Sequence, residues 1–208
     1  ITPDHRRIQL SEVTLSPQQI RDIRKILIVA CGTAYHAGLV GKYVIEKLAR
    51  IPVEVDIASE FRYRDPLLDG HTLVIVVSQS GETADTLAAL REAKRKGARV
   101  LAVTNVVGSS VSREADDVLY TWAGPEIAVA STKAYTTQLI CMYLIGLYLA
   151  QVRESLRPGE IEQIIKELRL LPKQVQTILD RERMIKDVAV KHTASENCFF
   201  IGRGLDYA

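Results

Sequence analysis

The chain has 208 residues, 47% of them apolar and 25% charged, with 27 Lys and Arg against 25 Asp and Glu. That length suits one ordinary domain with extra helices, or part of something larger, and the near cancellation of charge argues against nucleic acid or a membrane surface as the main partner. Three cysteines (Cys31, Cys141, Cys198) lie in apolar stretches without C-x-x-C spacing, and read as reduced core residues of a cytoplasmic protein rather than a disulfide or metal set.

In chain order, residues 1–15 are polar and irregular and read as the tail of a linker. Ser16-Pro17 opens a short helix to Arg24, with Ser16 as cap and Pro17 at the first helical position. Ile26 to Ala30 is a buried strand ending in Cys31-Gly-Thr-Ala, and a helix follows from Tyr35 to Ala49, with Gly38 and Gly41 allowing close packing. This order invites comparison with the dinucleotide fingerprint, whose three glycine positions fall here on Gly32, Ala34 and Ala37, with Asp56 near the place of a ribose-binding acid. One glycine of three supports a nicotinamide or flavin site poorly. Thr33 reads better as a donor at that edge of the sheet.

Val53 to Ile57 is the second strand. The segment Phe61-Arg-Tyr-Arg64 after it is either a solvated turn or a subunit contact. The third strand, Leu73 to Val77, is followed by Ser78-Gln-Ser-Gly-Glu-Thr83 and then a helix with Ala84, Leu87, Leu90 and Ala93 on one face. Acids open that helix and bases close it, in keeping with its dipole, so the basic run Arg91 to Arg99 reads as a solvated helix end. The fourth strand is Val100 to Thr104, and the fifth, Val118 to Thr121, is polar enough for an edge. Strands alternating with helices predict a three-layer α-β-α sandwich around a five-stranded parallel sheet. Its expected flavodoxin-like order, 2-1-3-4-5, puts a ligand crevice between strands 1 and 3.

The turn after the third strand gathers the unpaired N–H groups of a helix start, with Ser78, Ser80 and Thr83 adding hydroxyl donors and Gly81 letting backbone approach a ligand. It suits a phosphate monoester held by neutral groups; the plainer alternative is that Ser80 only caps the helix. A second polar turn, Gly124 to Lys133, precedes a helix from Ala134 to Gln151 that is apolar nearly all round and is expected to be buried. Its run Leu139 to Ala150 is shorter than the roughly 20 residues of a membrane span. Lys133 at its start opposes the helix dipole unless an anion is bound nearby, or else bends into water. Pro158-Gly159 breaks the chain, and two or three amphipathic helices then run to His192, with Ile161, Ile164, Ile165 and Leu168 marking one buried face. Finally Gly204-x-x-Tyr207 echoes Gly32-x-x-Tyr35, and Phe200-Ile201 matches Ile28-Val29. Residues 196–208 therefore read as the opening buried strand of a truncated second copy of the module. Residues 16–195 form the first copy with its C-terminal helices.

Four stretches together, Cys31-Gly-Thr-Ala-Tyr-His-Ala-Gly38, Ala58-Ser-Glu-Phe-Arg-Tyr-Arg64, Ser78 to Thr86 and Val129-Ala-Ser-Thr-Lys-Ala134, resemble the isomerase half of the glutamine–fructose-6-phosphate aminotransferase (glucosamine-6-phosphate synthase) family. The match starts near Ile26 and is to its first sugar isomerase (SIS) domain. The resemblance implies synthesis of glucosamine 6-phosphate from fructose 6-phosphate and glutamine, without metal or organic cofactor, in a homodimer. It implies that Ser78, Gln79, Ser80 and Thr83 hold the sugar phosphate, that Thr33 lies beside the sugar, and that the Val129 backbone and Ser131 contact its hydroxyls. The family commonly has serine at the place of Ala34, so one contact is missing here. The imine-forming lysine, the proton-moving glutamate and the partner subunit's histidine are implied to lie beyond Ala208, which leaves this chain without catalytic residues. Two rivals remain: a sugar-phosphate-sensing regulatory domain, for which residues 1–25 hold no helix-turn-helix, and a stand-alone phosphosugar isomerase, for which Glu82 and Glu126 are the candidate bases.

Overall fold

The computed structural model describes residues 1–128 and 131–208. Five parallel strands, β1 (Lys25–Ala30), β2 (Val53–Ile57), β3 (Thr72–Ser78), β4 (Arg99–Thr104) and β5 (Asp117–Tyr120), form one sheet in the order β2-β1-β3-β4-β5. Between and after them run α1 (Pro17–Asp22), α2 (Thr33–Ala49), α3 (Ala58–Phe61), α4 (Ala84–Arg95), α5 (Ser110–Glu114), α6 (Lys133–Arg153), α7 (Pro158–Leu179) and α8 (Glu182–Val190). The expected sandwich and strand order are therefore found, with each strand within a residue or two of its expected ends.

The inner strands β1, β3 and β4 are almost continuously apolar because both faces of the sheet are covered, while the edge strands β2 and β5 carry Glu54, Asp56 and Asp117. Side chains alternate between faces. Ile26, Ile28, Ile75, Val77, Leu101 and Val103 pack with α1, α2 and α6 on one side. Leu27, Val29, Val74, Val76, Val100 and Ala102 meet Phe61, Leu90 and Val111 of α3, α4 and α5 on the other. Each such side chain contributes about 1.5–3 kcal/mol on burial, so the two layers together fix the sheet. α1 begins with the expected cap, a reciprocal box in which the Ser16 Oγ accepts from the Gln19 N–H and the Gln19 Oε1 accepts from the Ser16 N–H.

α6 lies along α2, and at Gly41 the helices are so close that a Cβ would sit 2.7 Å from the Met142 Sδ. No residue of α6 from Thr137 to Arg153 is fully exposed. At 21 residues the helix is longer than its apolar run and is long and apolar enough to cross a membrane, although here its Cys141, Met142 and Ile145 belong to the core. Burial pushes the Cys141 thiol up to about 12, which leaves it protonated and unreactive.

Three expectations change. Residues 8–15 are irregular but not a loose tail, since Ile8, Leu10, Val13 and Leu15 are buried in the core. Thr14 is tied to β5, where the Asp117 Oδ1 accepts from its N–H at 2.6 Å and its hydroxyl at 2.9 Å. Residues 198–203 form no strand, and Phe199, Phe200 and Ile201 are exposed. A strand needs a neighbour for its N–H and C=O groups, and none of the five strands pairs with this segment. Cys198 is accordingly exposed, and Cys31 is only half-buried, so Cys141 alone is a core thiol. Finally, Pro158 begins α7 rather than interrupting the chain, and that helix buries Ile161 and Ile165 with Ile164 and Leu168 half-covered. Beyond Leu168 its side chains, and all those of α8, face outward for the most part.

Candidate functional site

At the carboxyl ends of β1 and β3, where the sheet order reverses, a cavity of about 360 Å³ opens. Its walls bring together Thr33 from the start of α2, Ser78, Gln79, Ser80 and Thr83 from the β3–α4 turn, and Ser131 just before α6. Six of the seven residues expected at the site therefore share one crevice. The seventh, Val129, lies outside the described residues.

The turn is rigid for reasons internal to the sequence. The Ser78 Oγ accepts from the Gly81 N–H at 3.0 Å and lies 3.2 Å from the Thr83 Oγ1, while the Ser80 Oγ accepts from the Glu82 N–H at 3.2 Å. The Gln79 carbonyl accepts from the Asn105 N–H and the Gly81 carbonyl from the Val111 N–H. Glu82 points to α5, where its carboxylate accepts from the Ser110 N–H at 2.7 Å, and this bond holds it below the usual carboxylate range. Gly81 is required by the fold itself, whatever approaches the turn. Its φ is +67°, and an added Cβ would fall 2.1 Å from the Ser109 Oγ, so the constraint is contact with the β4–α5 loop.

Nor is Ser80 a helix cap. The residue preceding α4 is Thr83, and no side chain caps the helix, so its first-turn N–H groups and dipole remain available to an anion. With the hydroxyls of Ser78, Ser80 and Thr83 alongside, this is a phosphate-sized set of neutral donors.

The opposite wall differs in character. The Glu126 carboxylate caps α6, with Oε2 accepting from the Ala134 N–H at 3.0 Å and the Thr132 N–H at 3.1 Å, and Oε1 from the Ala128 N–H at 3.4 Å. These bonds, led by that to Ala134, hold it below its ordinary pKa. Lys133 adds to that depression, and the residue is exposed at the helix start, as expected of a lysine turned to water. Two residues of the cavity escaped the sequence reading. Thr86 and Gln138 are each 1% exposed, and neither the Thr86 Oγ1 nor the Gln138 Oε1 has a hydrogen-bond partner. The available signal was a polar residue on an apolar helix face, Thr86 in line with Ala89, Leu90 and Ala93, and Gln138 in line with Cys141, Met142 and Ile145. Cys31 and the Ala34 methyl also reach the cavity.

The dinucleotide comparison finds no support. Asp56 accepts from the Ile57 N–H and is paired with Arg64, away from the cavity. That ion pair, with Arg64 also over the Phe61 ring, accounts for part of the aromatic and charged Phe61 to Arg64 segment as internal structure, while Tyr63 stays exposed. Among the described residues no three His, Cys, Asp or Glu side chains come together as a metal site.

The SIS domain family matches residues 19–148, which is more than half of the chain and includes the whole sheet and the crevice. The chain belongs to the SIS domain family. It is 64% identical over 201 residues to the glutamine–fructose-6-phosphate aminotransferase (isomerizing) of Clostridium tetani, covering 97% of this chain and 33% of that protein. It is 62% identical over 202 residues to the protein of that name from Caldanaerobacter subterraneus, with the same coverage of both. Among solved structures, the C-terminal domain of glucosamine-fructose-6-phosphate aminotransferase from Francisella tularensis matches with a TM-score of 0.93 at 40% identity, over 99% of this chain and 57% of that one. This SIS domain chain spans about a third of the length of the curated relatives it matches.

Proposed function

We propose that the chain is the sugar-phosphate-binding SIS domain of a cytoplasmic enzyme that makes glucosamine 6-phosphate from fructose 6-phosphate and glutamine. In this reading residues 16–195 are that domain, and the phosphate of a hexose 6-phosphate sits at the Ser78 to Thr83 turn. The observation that carries it is an uncapped helix start with three hydroxyls, all facing one cavity of about 360 Å³. A cavity of that size is within the range of small-ligand sites. The identity to aminotransferases supports the choice of substrate.

The phosphate is held by neutral donors, and Thr33 and Ser131 lie along the sugar. The imine and proton-transfer steps belong to parts of the enzyme other than these residues. Among the described residues the cavity is lined by no lysine or histidine, and its one carboxylate, Glu126, is engaged with three backbone N–H groups. A base that is held below its ordinary pKa and fully bonded is poorly suited to abstract a proton. Glu82 is also held below its ordinary pKa, by Ser110, and does not line the cavity, which argues against a self-sufficient isomerase.

Neutral donors contribute about 1 kcal/mol each, and association itself is costly, so the chain should bind glucose 6-phosphate with an affinity in roughly the millimolar to high micromolar range. Ser80→Ala and Thr83→Ala are each expected to weaken binding about fivefold by calorimetry, with little change in melting temperature for Thr83→Ala. In parallel, the chain given fructose 6-phosphate and ammonia should form no glucosamine 6-phosphate above a buffer blank. Unaltered affinity in both variants would sink the phosphate assignment, and turnover would sink the division of labour.

A further inference from the structure

The two ends of the cavity are chemically opposed. Toward α4 there are hydroxyl and N–H donors. Toward α6 there are the Glu126 carboxylate and the side chain of Gln138, whose amide oxygen is enclosed and unpaired. A dianionic phosphate is repelled by the second set and attracted to the first, so a phosphosugar enters with its phosphate at α4 and its hydroxyls toward α6. Gln138 is the least explained group at that end. It is 1% exposed on a helix otherwise packed with apolar side chains, its Oε1 has no partner, and it borders the cavity. An unpaired buried amide oxygen is costly, about 1–3 kcal/mol, and such groups in folded proteins need an account.

We propose that Gln138 is a specificity-determining residue whose amide, enclosed in the free chain, turns toward the cavity on binding and accepts a hydrogen bond from a hydroxyl of the bound sugar. The site is thereby incomplete until a ligand with a hydroxyl donor at that depth fills it. A ligand with the phosphate alone satisfies the α4 end and leaves Gln138 unpaired. This inference rests on the phosphosugar reading above and adds the group that tells a sugar phosphate from any other phosphate monoester.

The test is Gln138→Met in the full 208-residue chain, titrated with glucose 6-phosphate and with ethyl phosphate, alongside thermal unfolding. Methionine has a similar volume and carries no unpaired oxygen, so the free variant should melt at the same temperature or higher. Its affinity for glucose 6-phosphate should fall about fivefold to twentyfold, the loss of one well-placed hydrogen bond, while that for ethyl phosphate stays within twofold. The variant, unlike the wild type, should then bind the two phosphates almost alike. A clear drop in melting temperature or failure to fold would show a structural bond and overturn the proposal. So would equal weakening of both ligands, or no weakening of either. If the wild-type chain binds no glucose 6-phosphate at all, the phosphosugar reading falls together with this inference; if it binds and only the variant fails to differ, this inference falls alone.

Discussion

Gly81→Ala is expected to destabilise the chain by about 3 kcal/mol and to abolish phosphosugar binding. Two terms add. At φ +67° a side chain meets the left-handed penalty of about 1–2 kcal/mol. The new Cβ also lands 2.1 Å from the Ser109 Oγ, 2.5 Å from the Ser109 Cβ and 2.9 Å from the Thr104 Oγ1. None of these atoms is the far end of a flexible chain, so the loop must move, and overpacking of this kind costs about 1–3 kcal/mol. For a domain of this length the sum corresponds to a melting temperature lower by about 6–12 °C. Binding goes because any shift at Gly81 breaks its bond to the Ser78 Oγ and displaces the donors on either side. Ser109→Gly in the same background removes the worst contacts but not the backbone strain, and should restore about half the lost stability. Stability within 1 kcal/mol of wild type for Gly81→Ala, by urea denaturation, would contradict this account of the turn.

Arg99→Met should have a comparable effect far from the cavity, and one that depends on pH. Asp117 opens the edge strand β5 with its side chain wholly buried. Burial pushes its carboxyl up, but two bonds from Arg99, at 2.7 and 3.1 Å, and two from Thr14 outweigh that and hold it below its ordinary value. Without Arg99 a buried charge is left short of its partner, which costs about 3 kcal/mol. The irregular segment that Arg99 bonds through the Thr14 Oγ1 loosens with it. The sign with pH follows from linkage. In the wild type the folded-state pKa lies below the unfolded one, so the stabilisation is present above the ordinary carboxylate range and is lost as pH falls through the folded value. In the variant the folded-state pKa lies higher, so protonation relieves the strain on acidification. The gap between variant and wild type should therefore narrow from pH 7 to pH 4. Asp117→Asn should cost less, because Arg99 is 30% exposed in its side chain and can turn to water. A gap that is equal at the two pH values would contradict the assignment of the effect to Asp117.

The sheet was legible because its inner strands are nearly unbroken apolar runs, as a parallel sheet covered on both faces requires, and its two polar strands fall at the edges. The polar β3–α4 turn was legible because serine, glycine and threonine interrupt the strongest of those runs just where a helix begins. What escaped notice was whatever depends on tertiary neighbours. Residues 8–15 have no periodicity, and their four apolar side chains count as core only because β5 and α6 leave room for them. The run at 198–201 has strand composition, yet composition supplies no partner strand and the segment stays exposed. The tertiary reason for Gly81 was not legible, since its neighbour Ser109 is nearly thirty residues away in sequence. Thr86 and Gln138 were hidden in helices that read as apolar faces, and only their unpartnered oxygens mark them.

The central claim is that the β3–α4 turn recognises a phosphate. It is tested most directly by amide NMR of the 208-residue chain, titrated separately with glucose 6-phosphate and with glucose. Glucose 6-phosphate is expected to shift the amides of Gln79 to Thr83 and of the first turn of α4 in a saturable way, and glucose at the same concentrations should leave them unmoved. If glucose shifts the same amides to the same extent, or if glucose 6-phosphate shifts only residues outside this turn, the cavity does not bind the phosphate where the uncapped helix start and its three hydroxyls place it.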